Sequence, residues 1–382
     1  MFSKNIAFNF SKKISLLLFL FFLFSCNSNV QEKEIKLGAI LPLTGEAAVY
    51  GQNCKNGILL AVQEINKSGG IRGDSLKVVF EDSQLMPKVA VNVFNHLVSV
   101  EKVVAIIGPL SSSNAMATAP LANENRIISF SPGASTPKLT EAGPYVYRNW
   151  QSDALEAQVM AEFAMGRGWK NYGVFYVNND FGLSLKEYFV KTIEDKGGRV
   201  KITESFEQNK SDYKSQLSKI KAADLDALYL LSYPQQTPVI VNQMKALNIE
   251  AKILGVAAME DPSLIEIAGK NANGIIYTIA KPLSDKDPKR IKFIENYKKK
   301  FGEEPGLISD TGYDAVYILT EAIKNADTIS REGIHIALDK IEFFEGASGP
   351  MEFDEHGDVV KPIGIKQIKN NEFEWLIKST RK

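Results

Sequence analysis

Apolar runs of strand length alternate with helical patterns along residues 34–150. The first run, Glu34–Leu41, predicts a strand, and in residues 51–66 Ile58 and Val62 lie one helical turn apart, as on the buried face of a helix. The other predicted strands are 76–80, 103–107 and 127–130, and the second predicted helix is 87–100. Repeated strand–helix–strand connections predict a parallel, doubly wound α/β sheet with helices on both faces.

The same alternation restarts after residues 145–150 and predicts a second α/β lobe of similar size. Its predicted helices are 152–166, 181–196, 212–222 and 235–247, and its predicted strands are 172–177, 200–206, 227–231, 252–256 and 274–279. Two amphipathic helices, 287–301 and 309–326, follow. The tail, 350–377, predicts a β-ribbon with strands at 351–353, 363–368 and 373–377.

Two of the predicted strands end in turns of small polar residues. Gly108-Pro109 stops the run 103–107, and residues 111–114 (Ser-Ser-Ser-Asn) open an alanine-rich stretch that suits a helix start. Residues 131–135 (Ser-Pro-Gly-Ala-Ser) follow the next strand. Ligands of open parallel sheets lie outside the carboxyl ends of the strands, and a helix start offers free N–H groups to a carboxylate. The turns therefore indicate a ligand site, with simple helix capping by the serines as the alternative.

The first 26 residues predict a targeting segment that is not part of the fold. Lysines precede the apolar run 14–24, which is too short to span a bilayer, since a spanning helix needs about 20 apolar residues. The run has the length and flanks of a signal-peptide core.

The end of this segment, residues 23–26 (Leu-Phe-Ser-Cys), resembles a bacterial lipobox. The resemblance implies that Cys26 is lipidated and becomes the mature N-terminus, which would anchor the protein to a membrane. The bulky Phe24 departs from the pattern, which usually has a small residue there. The alternative is an ordinary secretory signal cut near Ser25 or Ser28.

Composition limits the remaining possibilities. Without the leader about 350 residues remain, more than one core usually serves, so two domains are expected. The chain has 45 basic and 45 acidic residues and a formal net charge of zero, which gives no indication of a nucleic-acid partner. Cys54, the only other cysteine, is predicted to be a buried free thiol.

The sequence argues against an enzyme. The three histidines, His96, His335 and His356, lie in separate segments without metal-ligand spacing. Neither a G-x-S-x-G elbow nor a G-x-G-x-x-G loop occurs, so no catalytic, metal or cofactor site is predicted.

Taken in order, these features resemble the periplasmic-binding-protein-like receptors of the branched-chain amino acid (Leu/Ile/Val, leucine-binding) class, the solute-binding components of ABC importers. The resemblance covers the chain from Ile35 to about Leu376. Its motifs are Ile35-Lys36-Leu37-Gly38, Leu43-Thr44-Gly45, Tyr50-Gly51, Gly69-Gly70-Ile71-Arg72-Gly73, Gly108-Pro109-Leu110-Ser111-Ser112-Ser113, Ser131-Pro132-Gly133-Ala134-Ser135-Thr136-Pro137 and Tyr313-Asp314-Ala315.

The resemblance implies a type I periplasmic-binding-protein fold, with two Rossmann-like lobes joined by a three-crossover hinge. The implied lobes are discontinuous: residues 34–150 with 281–348 form the first, and 151–280 with 349–382 the second. It further implies an extracytoplasmic, lipid-anchored monomer without cofactors, which binds a small-molecule ligand and docks on an ABC permease.

Ligand positions follow from the same resemblance. Ser112, with its neighbour Ser113, matches the serine whose hydroxyl and N–H hold the ligand carboxylate. Gly133, beside Ala134, matches a carbonyl that accepts from the ligand ammonium, and Ser135 stands where a threonine is usual. The aromatic walls fall on three residues: Tyr50, Phe181 and Tyr233.

One departure concerns charge. Amino-acid binders of this class carry an acidic residue, paired with the ligand ammonium, where this chain has Ala257. An ammonium buried without a carboxylate is costly. Three alternatives follow: Glu260 reaches in from a shifted loop, Asp180 substitutes, or the ligand is an organic or aromatic acid without an ammonium.

The implied mechanism is capture in the cleft by closure of the lobes, followed by delivery to the permease. The rival hypothesis is a sensor or regulatory lipoprotein on the same fold, since a fold does not determine function.

Overall fold

The computed structural model describes residues 34–280, 286–354 and 356–377. The leader and the predicted lipidation site Cys26 lie outside the described residues. Among the residues described, none of the helices combines the length and apolar character that crossing a bilayer requires.

A parallel sheet forms the centre of the first lobe. Its strands are β1 (Glu34–Leu41), β2 (Ser75–Asp82), β3 (Ala105–Ile107), β4 (Ser129–Ser131) and β5 (Val146–Arg148). They lie in the order β2-β1-β3-β4-β5, and β3 pairs in parallel with both β1 and β4. Leu37, Ala39, Ile40 and Leu41 of β1 are all fully buried, as expected for a strand covered on both faces.

The helices of this lobe are α1 (Ala48–Lys67), α2 (Pro87–His96) and α3 (Ser112–Glu124). α1 buries Cys54, Ile58, Ala61 and Ile65, which recur every three or four residues along one face. Cys54 is a free, buried cysteine, as predicted, and burial raises the pKa of its thiol.

The second lobe repeats the alternation around a larger sheet. Its strands are β6 (Asn171–Val177), β7 (Arg199–Phe206), β8 (Ala227–Leu231), β9 (Lys252–Gly255) and β10 (Ile276–Ala280). Its helices are α4 (Asp153–Gly166), α5 (Asp180–Asp195), α6 (Lys214–Ala222), α7 (Thr237–Ala246) and α8 (Pro262–Ala268). β6 pairs in parallel with β7 and β8, and β9 pairs in parallel with β8 and β10.

After β10 the chain returns to the first lobe. α9 (Pro288–Phe301) places Phe293 and Tyr297 against Leu60 of α1, and α10 (Ser309–Asn325) and α11 (Arg331–Leu338) follow. The last strands are β11 (Phe343–Gly346), β12 (Gly349–Phe353), β13 (Val359–Val360), β14 (Ile363–Lys369) and β15 (Glu372–Ile377).

The predicted single ribbon in the tail is wrong. β12 belongs to a separate sheet, β11-β12-β13, whereas β14 and β15 extend the second lobe's sheet in the order β15-β14-β10-β9-β8-β6-β7. β14 pairs antiparallel with β10, so the tail adds an antiparallel edge to a parallel sheet. The predicted α/β class with two lobes is confirmed, although α8, β5, β11 and β13 were not predicted.

Candidate functional site

A cavity of about 70 Å³ lies between the two lobes. Loops after β1, β3 and β4 line it from the first lobe, and loops after β8 and β9 line it from the second. Its position at the carboxyl ends of parallel strands is where open α/β sheets bind ligands. Much of its wall is apolar, including Leu85, Leu110, Val256, Leu307 and Ile308.

The start of α3 forms one polar wall of this cavity. Ser111 precedes the helix with an extended backbone (φ −94°, ψ 148°) and makes no side-chain cap. The N–H groups of the first turn of a helix have no intrahelical acceptor, and here the Ser111 side chain does not supply one. Ser111 and Ser112 line the cavity, and the Ser111 hydroxyl is buried without a hydrogen-bond partner among the described residues. These groups can donate to a ligand carboxylate.

Ser112 also holds the neighbouring loop in place. Its hydroxyl oxygen accepts hydrogen bonds from the N–H of Ser135 at 3.3 Å and of Thr136 at 3.2 Å. Because the oxygen accepts both of these bonds, the Ser112 hydroxyl hydrogen can be donated to a ligand.

The loop after β4 is fixed from behind by a buried cation. Arg148, only 1% exposed, donates from Nη1 to the carbonyl oxygens of Ser135 at 3.0 Å and Thr136 at 2.9 Å. Its Nη2 atom forms an ion pair with Asp358 at 2.6 Å. The wall that contains Gly133 and Ser135 is thus held in place before any ligand arrives.

Aromatic side chains form the opposite wall. The rings of Phe181 and Tyr233 stack with centroids 5.6 Å apart and an interplanar angle of 23°. The Tyr233 hydroxyl accepts a hydrogen bond from Asn179 Nδ2 at 3.1 Å. Tyr50, from the first lobe, donates its hydroxyl to the carbonyl of Ala258 across the cavity at 3.3 Å.

A carboxyl group lines the cavity as well. Glu156, in the first turn of α4, is 2% exposed, and its Oε1 accepts from the Ala257 N–H at 3.1 Å and the Thr278 hydroxyl at 2.9 Å. Burial, and next the charge of Asp153, raise the pKa of Glu156 to about 7, while these hydrogen bonds act in the opposite direction.

Polar contacts also join the two lobes beside the cavity. Glu46 Oε1 accepts from the Asn209 N–H at 2.6 Å and from Gln236 Nε2 at 2.9 Å. Ser113 donates its hydroxyl to Asp180 Oδ2 at 2.8 Å. These hydrogen bonds connect the two lobes and correspond to a closed cleft.

Most of the residues predicted for the site meet at this cavity. The lining includes Tyr50, Ser112, Gly133, Ser135, Phe181, Tyr233 and Ala257. These residues come from six separate loops and helix starts, as the family resemblance implies.

Three predicted residues do not line the cavity. Ser113 bonds to Asp180, and Ala134 is fully buried with its N–H on Ser131 Oγ at 2.9 Å. Glu260 is hydrogen-bonded to Tyr277 and paired with Lys366, and it lines a different cavity. The shifted loop proposed for Glu260 is therefore absent here.

Sequence reasoning missed Glu156, Trp150, Leu307 and Ile308 in the lining. Glu156 reads in the sequence as an ordinary acidic residue of a first helical turn, where the helix dipole favours it. Only the packing of α4 against β10 and the segment after β9 reveals that its carboxyl is buried.

Comparisons with known proteins agree with this geometry. A family model described as periplasmic binding protein matches residues 34–372. A Leucine-, isoleucine-, valine-, threonine-, and alanine-binding protein of Pseudomonas aeruginosa is 27% identical over 349 residues, covering 91% of each chain.

Two solved structures share the fold along nearly the whole length. The leucine binding protein LivK of Thermotoga maritima has a TM-score of 0.84 and 31% identity, covering 89% of this chain and 97% of its own. The branched-chain amino acid transporter substrate binding protein LivJ of Streptococcus pneumoniae, in complex with isoleucine, has a TM-score of 0.82 and 26% identity, covering 90% of this chain and 98% of its own.

The chain therefore belongs to the periplasmic binding protein family, in its two-lobed type I form. This membership confirms the prediction of a solute-binding protein rather than an enzyme.

Proposed function

We propose that the protein is the extracytoplasmic substrate-binding component of an ABC importer and that it captures a small amino acid or related carboxylate. The observation that carries the proposal is the interlobe cavity, in which the open start of α3 with Ser112 faces the Phe181–Tyr233 stack. Such a helix start and hydroxyl are donors for a carboxylate. The likeness to amino-acid-binding relatives along the whole described chain supports the same assignment.

The apolar part of the lining supports an aliphatic or small side chain on the ligand. Leu85, Leu110, Val256 and Ile308 contribute carbon surface, and the cavity measures only about 70 Å³. Burial of apolar ligand surface against such walls stabilises a complex by roughly 25 cal/mol per Å² before the costs of association.

Capture proceeds by closure of two lobes, which we assign to residues 34–150 with 281–348 and 151–280 with 349–382. The bonds that Tyr50, Glu46 and Ser113 make across the cleft support a closed, water-excluding state. The closed form then docks on a membrane permease and releases the ligand there.

Lipidation at Cys26 keeps the receptor at the membrane surface. The lipobox-like sequence 23–26 supports this step. A single acyl chain gives only marginal attachment, so stable anchoring needs a multiply acylated cysteine.

The test is thermal unfolding of residues 27–382 with a panel of amino acids and simple organic acids. A ligand at 100 times its dissociation constant stabilises the fold by about 2.7 kcal/mol, which is a clear shift in melting temperature. A shift with any carboxylate that competes for one site supports the proposal. Silence across the panel would contradict it and favour the sensor hypothesis.

A further inference from the structure

The charge of the cavity bears on the ligand it accepts. Among the described residues that line it, Glu156 is the only one with an acidic side chain, and none carries a basic one. A carboxyl group this deeply buried is normally paired or neutral, because an isolated buried charge is strongly unfavourable.

The position of Glu156 is informative because it contacts residue 257. Its Oε1 accepts the N–H of Ala257 at 3.1 Å. The family resemblance places the acidic partner of a ligand ammonium at residue 257, where this chain has a methyl side chain. Glu156 thus places a carboxyl group from α4 next to residue 257, whose own side chain carries none.

Other acidic residues near the cleft are engaged elsewhere, and Asp153, which accepts from the Ser184 hydroxyl, is buried outside the cavity lining. Asp180 accepts from Ser113 and pairs with Lys138 at 3.3 Å, and Glu260 pairs with Lys366. Glu46 is bonded to Asn209 and Gln236. None of these three lines the cavity.

The hydrogen bonds from the Ala257 N–H and the Thr278 hydroxyl both reach Oε1 of Glu156, and the Gln151 side chain lies beside the same carboxyl. The two donors come from the second lobe, whereas the carboxylate-binding donors at Ser111 and Ser112 come from the first. A zwitterion can therefore be held with its carboxylate on the α3 start and its ammonium on Glu156.

Resting on the proposed function, we infer that Glu156 is the ammonium anchor of this site and selects α-amino acids over acids that lack an amino group. The ionised carboxylate of Glu156 and the ammonium of the ligand neutralise each other in the closed, dry cavity. An acid without an amino group brings a negative charge and no positive one, so it binds only when the carboxyl of Glu156 is protonated.

The test uses Glu156→Gln and matched ligand pairs that differ only in the amino group. The pairs are L-leucine with 4-methylpentanoic acid, L-isoleucine with 3-methylpentanoic acid, and L-alanine with propanoic acid. Loss of a hydrogen bond to a charged group predicts amino-acid affinity about 10- to 150-fold weaker in the variant, by calorimetry at pH 8. Affinity for the acids without an amino group stays equal or rises.

Glu260→Gln is the control, because Glu260 lies outside the cavity. It leaves both ligand classes unchanged, and the melting temperature of each ligand-free variant verifies folding. If Glu156→Gln weakens neither class, or both equally, the anchor is overturned while the proposed function stands. If no carboxylate binds the wild-type protein, the proposed function fails.

A measurement on the wild-type protein needs no variant. Between pH 5 and pH 8 amino-acid affinity should rise, because the ammonium favours ionised Glu156, and affinity for the acids without an amino group should fall. Among the residues that the structure describes, the titratable groups that interact electrostatically with Glu156 are Asp153 on α4, Tyr50 on α1 and Tyr229 on β8. Both tyrosines stay neutral in this range because burial raises their pKa.

Asp153 also titrates in this range, since burial raises its pKa to about 7. The contribution of Asp153 to the pH dependence is the slope of ligand affinity against pH that remains in the Glu156→Gln variant. Opposite slopes for the two ligand classes that disappear in this variant support the anchor, and equal slopes in variant and wild type overturn it.

Discussion

Ser112 performs two tasks at once in the cavity wall. Its oxygen accepts the N–H groups of Ser135 and Thr136, and its hydroxyl hydrogen is available to a ligand. A residue that both shapes and contacts a site affects binding through both routes. The capping alternative does not describe Ser111, which makes no side-chain cap, and the Ser112 oxygen accepts from Ser135 and Thr136 instead.

Replacing Ser112 by alanine should weaken a carboxylate ligand by about 1–3 kcal/mol, because one donor is lost and two buried N–H groups lose their acceptor. The melting temperature of the ligand-free protein should fall moderately for the second reason. Calorimetry with the best ligand of the panel measures the first effect.

Thr118→Ala is the matched control on the same helix, since the Thr118 hydroxyl donates within α3, to the carbonyls of Asn114 and Ala115. It should leave affinity unchanged. Equal affinity in Ser112→Ala and the wild type would remove Ser112 from the site.

At the scale of elements, the entry of α1 depends on a residue without a side chain. A Cβ at Gly51 would lie 2.0 Å from the carbonyl oxygen of Pro42, so the helix and the loop after β1 can approach this closely only with glycine. Pro42 and Tyr50 both line the cavity. The same close approach that packs the lobe therefore positions part of the site.

Gly51→Ala should destabilise the fold by about 1–3 kcal/mol, because the backbone must shift to admit a methyl group. Ligand affinity should fall with it, since Tyr50 moves with α1. Denaturant unfolding and calorimetry measure the two effects. Gly166→Ala, at the end of α4 with nothing within 4 Å, should be neutral, and a neutral Gly51→Ala would contradict the packing argument.

Local pattern carries much of this architecture. The predicted strands Glu34–Leu41 and Ala227–Leu231 have the observed bounds, because a fully buried parallel strand is a continuous apolar run. The prediction of a single ribbon in the tail is wrong for a different reason. An alternating pattern of apolar and polar residues identifies a strand but not the strand with which it pairs. β12 and β14 therefore read alike, although they belong to different sheets.

The same distinction applies to the site. Turns rich in serine and glycine after apolar runs can be recognised in the sequence, whereas Glu156 becomes conspicuous only once β10 and the segment after β9 pack against it. The family resemblance indicates that residue 257 lacks the acidic side chain that is usual there. It could not indicate which other element had supplied one, because that depends on tertiary packing.

At the scale of the whole molecule, the proposed lipid attachment and the proposed ligand capture can be tested separately. Cys26→Ser should abolish lipid labelling and release the protein in soluble form, because no other residue occupies the lipobox position. Metabolic labelling with a fatty acid, followed by membrane fractionation, measures this. Cys54→Ala should keep the label, since Cys54 is buried in α1. A Cys26→Ser protein that stays labelled or membrane-bound would contradict lipidation at this residue.

The proposed closure of the lobes also involves a contact outside the cavity lining. Glu46 is 8% exposed, lies outside the cavity lining and accepts two hydrogen bonds from the second lobe, at Asn209 and Gln236. Burial raises the pKa of Glu46, and the hydrogen bonds from Asn209 and Gln236 act in the opposite direction. These two donors therefore offset part of the cost of burying the carboxyl group. These bonds are lost when the lobes separate, and they therefore favour the closed form alone.

Glu46→Ala should weaken ligand binding by about 1–3 kcal/mol, mainly through faster dissociation, because opening no longer breaks these bonds. Stopped-flow release of the panel's best ligand measures the rate. Glu124→Ala, at the exposed end of α3, should leave the rate unchanged. A Glu46→Ala protein that releases ligand at the wild-type rate would show that the lobes close without this contact, and the remaining bonds at Tyr50 and Ser113 would then have to hold them together.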